Sequence, residues 1–346
     1  MILNAPMSDQ IATEEAPRCP ACDAVGTVAL RDCVDHVTGL AGRWSFSKCS
    51  SCQSLWLNPR PPESALAFLY PENYKLTRSD SDGEVDHARG FFASAKFATL
   101  GRAYGYESLA KAGDSPAGLA FGRAAARLLA RKAGYAVRYL PRRNGGRLLD
   151  VGCGNGAFID WMQRAGWQVE GIEFDPIAAA IAEKRGLTIH RGDVEMLDLP
   201  PGNFDAITLT HVTEHFFHPQ KVFRILHRWL KPGGTLVSLS PNPRGALGRL
   251  FGHNWYELDP PRHIFLPSAT AYRHLLEPLG FEVTTSTSLR SFHWMFKESA
   301  SIAIAGRTGA IPENAPLKFF TAAVAMLLSI LPGAGEEVLC HARKQR

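Results

Sequence analysis

The sequence predicts an α/β fold: a doubly wound, mainly parallel seven-stranded sheet preceded by a small cysteine-rich module. Three observations support this class. Strand-like apolar runs alternate with amphipathic helical stretches from residue 147 onward, a glycine-rich turn follows the first of those strands, and four of the seven cysteines form two close pairs near the N-terminus. A chain of 346 residues is long enough for one domain of ordinary size and a small module.

The main domain is expected to alternate strands and helices, because short runs rich in β-branched residues alternate with stretches of helical periodicity. The expected strands are 147–151, 168–173, 187–190, 204–211, 235–240, 281–289 and 337–343, and the expected helices are 157–165, 176–185, 220–230 and 268–279. A long helix is also predicted ahead of this domain, over 117–140, where alanine, leucine and arginine predominate.

The composition divides the chain into four predicted segments. Residues 1–16 are expected to form a flexible N-terminus, and 17–60 a zinc-ribbon-like module that ends at a proline-rich break. Residues 61–144 are predicted to form a helical connector or lid. The main domain is expected over 145–346, and it carries an insertion at 290–334 that is longer than a compact connection between strands needs.

Two Cys-x-x-Cys pairs, Cys19 with Cys22 and Cys49 with Cys52, are separated by 26 residues. This spacing predicts that four thiolates converge on one Zn²⁺ ion. Four cysteine ligands leave no position open for water, so the predicted ion is structural. Two disulfides or free thiols are the alternative, which the lack of a recognisable secretory signal disfavours.

Charge and hydropathy argue against several classes of protein. The net charge is +5 without a stripe of basic residues, which disfavours a nucleic-acid partner. The N-terminal residues lack the basic and apolar segments of a secretory signal, so a cytoplasmic location is expected, with a peripheral membrane position left open. The longest apolar run, 319–331, has 13 residues, fewer than the roughly 20 that cross a bilayer. It is expected to form a buried or interfacial helix.

The glycine-rich turn contains Gly152, Gly154 and Gly156, directly after a strand and before a helix. Glycines at such a turn let a ligand approach the backbone, and the helix N-terminus offers free amides. The next two strands end near Glu173 and Asp193, so two carboxylates are expected in the same crevice. A carboxylate can accept both hydroxyls of a ribose. Turns of this kind also occur in dinucleotide sites, phosphate sites and purely structural bends.

Taken together, these features resemble the class I S-adenosylmethionine-dependent methyltransferases, from about residue 147 to the C-terminus. The Asp-x-Gly-x-Gly-x-Gly loop is that family's motif for the methionine end of the cofactor, and Leu-Lys-Pro-Gly-Gly at 230–234 is a further hallmark. The resemblance implies S-adenosyl-L-methionine as the cofactor. It implies these binding residues: Asp150, Gly152 and Gly154 around the amino acid moiety, Gly156 in the same loop, Glu173 at the ribose, Phe174 beside the adenine, Asp193 with Val194 at its amino edge, and Thr210 with His211 against the methionine portion.

The segment after the fourth strand contains His211, Glu214 and His215 in the order of the inverted zinc-protease signature. A protease site of that kind needs a helix to place both histidines on one face, whereas the preceding β-branched run predicts a strand. The resemblance to methyltransferases implies instead that the Glu-His pair faces the cofactor and the acceptor.

A second segment, Leu-Asp-Pro-Pro-Arg-His-Ile-Phe at 258–265, resembles one found in a subgroup with many glycan and small-molecule methyltransferases. His263 in this segment is the predicted general base, because histidine accepts a proton near neutral pH. His215 and Glu214 are predicted to orient the acceptor. The alternative for His263 is a structural role in a proline-rich turn.

The cysteine module also resembles the N-terminal ribbon of sugar methyltransferases. The predicted function is transfer of a methyl group from S-adenosylmethionine to a sugar-type or related small acceptor, lipid- or nucleotide-linked acceptors included. The alternatives are an rRNA or tRNA methyltransferase with a zinc module and a non-catalytic zinc-bearing interaction protein. The sequence leaves the identity of the acceptor and its reacting atom, oxygen, nitrogen or carbon, open.

The insertion at 290–334 carries a concentration of large apolar side chains, including Phe292, Trp294, Met295 and Phe296. It is expected to cap the acceptor site or to make a homodimer or membrane-surface contact. A helix packed within its own domain is the alternative.

Overall fold

The computed structural model describes residues 11–70, 90–109, 114–331 and 333–346. Its strands are β1 (Gly26–Cys33), β2 (Trp44–Cys49), β3 (Leu55–Leu57), β4 (Arg147–Val151), β5 (Gln168–Glu173), β6 (Thr188–Arg191), β7 (Phe204–Thr210), β8 (Leu230–Pro241), β9 (Phe265–Leu266), β10 (Phe281–Ser288) and β11 (Glu337–Lys344). Its α-helices are α1 (Leu66–Leu69), α2 (Phe91–Tyr104), α3 (Pro116–Ala124), α4 (Ala126–Gly134), α5 (Ala157–Arg164), α6 (Pro176–Lys184), α7 (Pro219–Trp229), α8 (Ala246–Phe251), α9 (Ala269–Leu276), α10 (Phe292–Ala305) and α11 (Ala315–Leu328).

Within the described residues, seven strands form the main sheet in the order β10-β11-β8-β7-β4-β5-β6. The five strands from β8 to β6 run parallel to their neighbours, and β11 is antiparallel to both β8 and β10. This confirms the predicted doubly wound, mainly parallel sheet. The strand order reverses beside β4, so the carboxyl ends of β4, β5 and β7 meet at the switch point where such sheets bind ligands.

Helices cover both faces of the sheet, and β4 shows why. Leu148 packs into a cluster with side chains of α2, α4 and α5. Leu149 and Val151 pack on the opposite face with side chains of α7 and α9. Successive strand residues point to opposite faces, so the apolar side chains of β4 are covered by helices on both sides of the sheet.

The predicted long helix over 117–140 is wrong, because the chain bends at Ala125 and forms the two shorter helices α3 and α4, followed by a 3₁₀ turn. Both helices pack against α2, which the sequence did not reveal as a helix. At Gly122 an added Cβ would lie 2.2 Å from the carbonyl oxygen of Ala95. The bend lets both α3 and α4 pack closely against α2. The free energy gained from this packing outweighs the propensity of the segment to form one continuous helix.

The segment 230–234, predicted as a turn before the fifth main-sheet strand, is the start of β8 itself. Its pairing with β7 is irregular: Phe204 pairs with Leu230 and Ala206 with Thr235. The intervening residues therefore form a bulge, and the strand starts earlier than the predicted 235.

The cysteine module is an antiparallel sheet that continues into the main domain. Its order is β1-β2-β3-β9 among the described residues, and β9 comes from the segment after β8. The hydroxyl of Ser268, at the start of α9, donates to the carbonyl oxygen of Cys52 at 2.5 Å. The predicted boundary at residue 60 and the other domain limits stay predictions, and residues 1–10 of the predicted flexible N-terminus lie outside the described residues.

The insertion at 290–334 forms α10 and α11. Thr321 is buried on the inner side of α11, where its hydroxyl lies 2.7 Å from Nδ1 of His293 on α10. The outer side of α11 exposes Phe319 by 80% and Met326 by 76%. Among the described residues no helix is both long enough and apolar enough to traverse a bilayer. Most of the run 319–331 thus lies in α11, which has one side packed and one side open to solvent.

Candidate active site

A cavity of about 430 Å³ lies where β4, β5, β6 and β7 end. One end, which we call the glycine end, is bordered by residues predicted to bind the cofactor. These are Gly152, Glu173, Phe174, Asp193, Val194, Thr210 and His211. The other end, the histidine end, is bordered by His215, Tyr256, His263, Trp294 and Met295. Parallel strands align their carboxyl ends, so residues distant in sequence share this edge.

The glycine turn can take its shape because Gly152 and Gly156 both adopt positive φ. An added Cβ at Gly152 would lie 2.4 Å from Cγ2 of Val212, beside the cavity. An added Cβ at Gly156 would lie 2.5 Å from Cδ1 of Leu187, behind the turn. Gly152 therefore permits close approach at the cavity, whereas Gly156 permits close packing of the helix that follows.

Glu173 holds the glycine turn to the end of β5. Its Oε2 accepts a hydrogen bond from the amide of Gly154 at 2.7 Å, and its Oε1 accepts one from the amide of Asp175 at 2.8 Å. Each carboxylate oxygen can accept a further hydrogen bond. Burial raises the pKa of Glu173, while the two amide donors oppose that rise.

Asp150 lies behind the cavity, and Oδ1 accepts a hydrogen bond from the hydroxyl of Thr208 at 2.6 Å. Burial raises the pKa of Asp150 to about 6, against the effect of that hydrogen bond. Gly154 and Gly156 are also absent from the residues that border the cavity. These three predicted residues therefore shape the loop, and the carboxylate of Asp150 fixes β4 to β7.

Asp193 and Phe174 form the outer part of the glycine end. Oδ1 of Asp193 accepts a hydrogen bond from the amide of Glu195 and caps a short 3₁₀ turn that begins at Val194. Phe174 is 42% exposed, and its ring centroid lies 5.9 Å from that of Tyr70. A flat ring bound beside Phe174 would therefore meet aromatic side chains from two distant segments.

His211 follows β7 with a positive φ of 54°, which is uncommon for a residue other than glycine. Its Nε2 lies 3.2 Å from Oε1 of Glu337, and its Nδ1 lies 3.4 Å from Oε1 of Glu214. Burial alone lowers the pKa of His211, but the two carboxylates outweigh it and raise the pKa well above its usual value. The imidazolium in turn lowers the pKa of Glu214 and of Glu337 against the effect of burial.

Thr213–His215 form a single 3₁₀ turn after β7, and not the helix that an inverted zinc-protease site needs. The backbone of this turn is joined to the 258–265 segment, because the amide of Ile264 donates to the carbonyl oxygen of Glu214 at 2.8 Å. Nδ1 of His215 lies 3.0 Å from the carbonyl oxygen of Arg262 and 3.0 Å from the hydroxyl of Tyr70.

His263 is brought against His215 by these backbone contacts. Nδ1 of His263 lies 2.7 Å from the carbonyl oxygen of Glu257, and the two imidazole centroids are 4.9 Å apart. Burial and the neighbouring His263 lower the pKa of His215 to about 4. The His215 ring is therefore neutral near pH 7, and both predicted catalytic histidines border the same end of one cavity.

Arg262 directly precedes His263, and its carbonyl oxygen contacts His215. Its side chain joins the main domain to the cysteine module. Its guanidinium donates to both carboxylate oxygens of Asp35, at 2.6 and 3.0 Å, and to Asp259. Burial would raise the pKa of Asp35, but Arg262 outweighs it and lowers the pKa to about 2. The sequence offered no signal for this pair, because its members are 227 residues apart.

Several further cavity residues escaped the sequence analysis. They are Tyr70, Tyr256, Glu257 and Ser291, together with Glu337, which contacts His211 and Ser291 from β11. Burial raises the pKa of Glu257 to about 7. A tyrosine in the connector and a glutamate in the last strand match no local motif, so only their position in the fold reveals them.

The four paired cysteines form a separate group away from this cavity. Their sulfur atoms lie within 4.8 Å of one another, with Cys19 and Cys52 3.6 Å apart and Cys22 and Cys49 3.5 Å apart. A disulfide would bring two sulfurs to about 2.05 Å. Zn–S bonds of about 2.3 Å in a tetrahedron place the sulfurs about 3.8 Å apart. The arrangement fits one zinc ion and does not fit disulfides.

Comparison with known proteins gives a family match over residues 121–286, to the family described as Methyltransferase domain. Residues 121–286 make up less than half of the 346-residue chain. The matched segment contains the glycine turn, both strand-end carboxylates and both histidines.

Curated relatives match a shorter part of the chain. The ubiquinone biosynthesis O-methyltransferase of Pseudomonas aeruginosa is 32% identical over 117 residues, which cover 31% of this chain and 50% of the relative. The protein of the same name from Alkalilimnicola ehrlichii is 28% identical over 151 residues, covering 38% and 61%. The chain therefore spans about half the length of the curated relatives it matches.

Solved structures similar to this chain include a SAM-dependent methyltransferase of Thermotoga maritima, with 22% identity, a TM-score of 0.43, and coverage of 61% of this chain and 87% of that one. Another is the phosphoethanolamine N-methyltransferase 2 of Haemonchus contortus, with 19% identity, a TM-score of 0.46 and coverage of 89% and 64%.

Proposed function

We propose that this protein transfers the methyl group of S-adenosylmethionine to a small acceptor bound at the histidine end of the cavity. The observation that carries the proposal is the continuity of that cavity. It joins a glycine turn and strand-end carboxylates at one end to two histidines at the other. When bound, S-adenosylmethionine supplies a sulfonium methyl group, and the protein's tasks are positioning and removal of the acceptor's proton.

The proposed cofactor site is the glycine end. Glu173 would accept the ribose hydroxyls, because its oxygens keep acceptor capacity beyond the two amide bonds that fix them. Phe174 would flank the adenine, and Asp193 with Val194 would read its amino edge. Thr210 and His211 also border the glycine end, which supports the predicted contact with the methionine portion. Asp150, Gly154 and Gly156 would act by shaping the turn.

The proposed acceptor is a hydroxyl compound of sugar type or a related small molecule. Tyr70, Tyr256 and Trp294 border the histidine end, and aromatic faces of this kind suit a ring-shaped acceptor. The named relatives are O-methyltransferases, which favours oxygen over nitrogen or carbon as the reacting atom. His263 is the base assigned by the sequence, with His215 and Glu214 orienting the acceptor.

Two further assignments belong to this proposal. The cysteine group holds a structural zinc ion, supported by its four close and mostly buried sulfurs. The exposed side of α11 makes a membrane-surface contact, which would bring a lipid-linked acceptor to α10, where Trp294 borders the cavity. Co-sedimentation with anionic liposomes tests the second assignment. Monomeric protein that stays in the supernatant would contradict it, and a stable dimer would point to a homodimer contact instead.

Calorimetry with S-adenosylmethionine and S-adenosylhomocysteine tests the cofactor site. Wild-type protein is expected to bind both. Well-folded protein that binds neither would favour the non-catalytic interaction protein. The acceptor is sought by comparing surface and lipid-linked glycans of a deletion strain with those of wild type by mass spectrometry, where the loss of one methyl unit is expected. An unchanged glycan profile alongside a lost methyl group in rRNA or tRNA would support that alternative.

A further inference from the structure

Three side chains at the histidine end, Glu214, His215 and His263, lie close enough to share one ion. One ligand atom of each lies within 4.8 Å of the ligand atoms of the other two. The two histidines border the cavity, and the carboxylate lies behind them, fully buried. The predicted structural zinc does not account for this group, because the cysteines form a separate cluster.

The hydrogen bonds of the two imidazoles leave the same nitrogen free in each ring. Nδ1 of His215 contacts the carbonyl oxygen of Arg262, and Nδ1 of His263 contacts that of Glu257. A carbonyl oxygen only accepts, so Nδ1 carries the hydrogen in both rings and Nε2 of a neutral ring presents its lone pair. Neither Nε2 makes a hydrogen bond within the described part of the chain. Histidines that bind metals are held in this way.

The carboxylate of Glu214 is fully buried and keeps acceptor capacity that the protein does not use. Its charged neighbour is His211, whose Nδ1 lies 3.4 Å from Oε1, and His211 is shared with Glu337. Neither oxygen of Glu214 has a hydrogen-bond partner among the described residues. Lone pairs of a buried carboxylate are normally used by hydrogen bonds or by a metal.

We propose that Glu214, His215 and His263 bind one divalent transition-metal ion whose remaining positions face the cavity. Two imidazoles and one carboxylate form the ligand set of ions such as Zn²⁺, Fe²⁺ and Mn²⁺, and three protein ligands leave positions open for a substrate oxygen. Binding of the ion stands on these contacts alone, whereas its role in catalysis rests on the proposed methyl transfer.

In that role the ion activates the acceptor. A hydroxyl oxygen bound to the ion loses its proton more readily, and the proton passes to water at the mouth of the cavity. The oxygen then forms a bond to the methyl carbon, and the sulfur–methyl bond breaks with its electron pair kept by sulfur. His263 is then a ligand of the ion, and the ion, in place of His263 as a base, promotes loss of the acceptor's proton.

The test is a titration of the full-length, zinc-replete protein with Mn²⁺, followed by electron paramagnetic resonance. Mn²⁺ prefers oxygen and nitrogen ligands to thiolates, so the cysteine group does not contribute to the number of Mn²⁺ ions bound per chain. Wild-type protein is expected to bind one Mn²⁺ per chain, with nitrogen couplings from histidine in the spin-echo spectrum. Glu214→Gln and His263→Ala are each expected to weaken binding by more than the ~10- to 100-fold that loss of an outer hydrogen-bond partner costs.

The matched control is Glu298→Gln, which alters another buried carboxylate outside the cavity and should keep wild-type Mn²⁺ affinity. Circular dichroism shows which variants fold. If a variant does not fold, the Mn²⁺ titration of the wild-type protein tests the proposal by itself. Wild-type protein that binds no Mn²⁺ at millimolar concentration overturns the proposal, as does undiminished binding in both folded variants. Cofactor binding is measured in the same samples. Protein that binds the cofactor but not Mn²⁺ would support methyl transfer with His263 as the base and contradict the ion site. Protein that binds Mn²⁺ but not the cofactor would support the ion site and contradict methyl transfer.

Discussion

The two groups of candidate metal ligands in this protein differ in the number of ligands and in what surrounds them. The cysteine group has four soft sulfur ligands, and three of its members are almost fully buried. The Glu214, His215 and His263 group has three ligands and borders a cavity on its histidine side. A closed group can only hold structure together, whereas an open group can also bind a reacting molecule.

The two groups also differ in how the sequence encodes them. Each half of the cysteine group is a local Cys-x-x-Cys turn, so the spacing of the cysteines predicts the site. The histidine group joins the turn after β7 to a loop 48 residues later, and no spacing rule connects His215 with His263. Breaking the first group should mainly cost stability, and breaking the second should mainly cost rate.

The largest effect is expected from Cys49→Ser. Losing one of four ligands should reduce bound zinc from one per chain to nearly none, because the thiolates bind the ion together. The cysteine module would lose the ion that links its two Cys-x-x-Cys turns. The midpoint of thermal unfolding should fall by at least ~10 °C, which corresponds to several kcal/mol of unfolding free energy for a chain of this size. Elemental analysis and calorimetric scanning measure the two effects.

Cys33→Ser is the matched control for that variant, since Cys33 is equally buried in the same module but lies outside the group. It should keep one zinc per chain. Wild-type protein purified without chelator that contains no zinc would remove the structural zinc assignment.

His263→Ala should lower turnover by ~10²-fold or more while cofactor affinity and thermal stability change little. The variant loses the Nε2 atom that either a base or a cation ligand needs at the histidine end. Turnover is measured with the acceptor found by the glycan comparison. His253→Ala, at an exposed position outside the cavity, serves as the control. Full turnover in His263→Ala, together with a collapse in His215→Ala, would exchange the roles of the two histidines.

Glu173→Ala should weaken cofactor binding by about 1.5 to 3 kcal/mol, the usual cost of a charge-assisted hydrogen bond, without affecting either metal group. Asp150→Ala should also weaken binding, through the loss of the Thr208 contact that shapes the turn. Calorimetry measures the affinity. Glu183→Ala, on the exposed side of α6, is the control. Wild-type affinity in Glu173→Ala would remove the ribose assignment.

The smallest effect is expected from Asp35→Asn, which weakens the contact between the two regions. The pKa of Asp35 falls from 3.8 to about 2 in the folded protein, which corresponds to about 2 kcal/mol of stability near neutral pH. Because the folded pKa is the lower one, this stability is present above pH 4 and is lost as the pH falls toward 2. Denaturant unfolding at pH 7 measures it. Equal stability of variant and wild type would show that the Asp35–Arg262 pair is energetically neutral.

The sequence alone determined the parts of this protein that depend on local periodicity and spacing. Alternating strands and helices predicted the doubly wound, mainly parallel sheet, and the strand pattern placed the end of β5 at Glu173, beside the glycine turn. The cysteine pairs were evident for the same reason. In each case the residues involved are neighbours in the chain, and backbone geometry over a few residues is nearly sufficient to place them.

Only the tertiary structure decided which distant residues meet. Tyr70 from the connector and His263 from a loop meet His215, and Glu337 from the last strand meets His211. These contacts arise because β11 inserts between β8 and β10 and because the 258–265 segment packs back on the turn at 213–215. The bend at Ala125 arose in the same way, from a partner helix that the local sequence does not reveal. Contacts of this kind depend on how whole elements pack, and packing energy is spread over many side chains, so no local pattern records it.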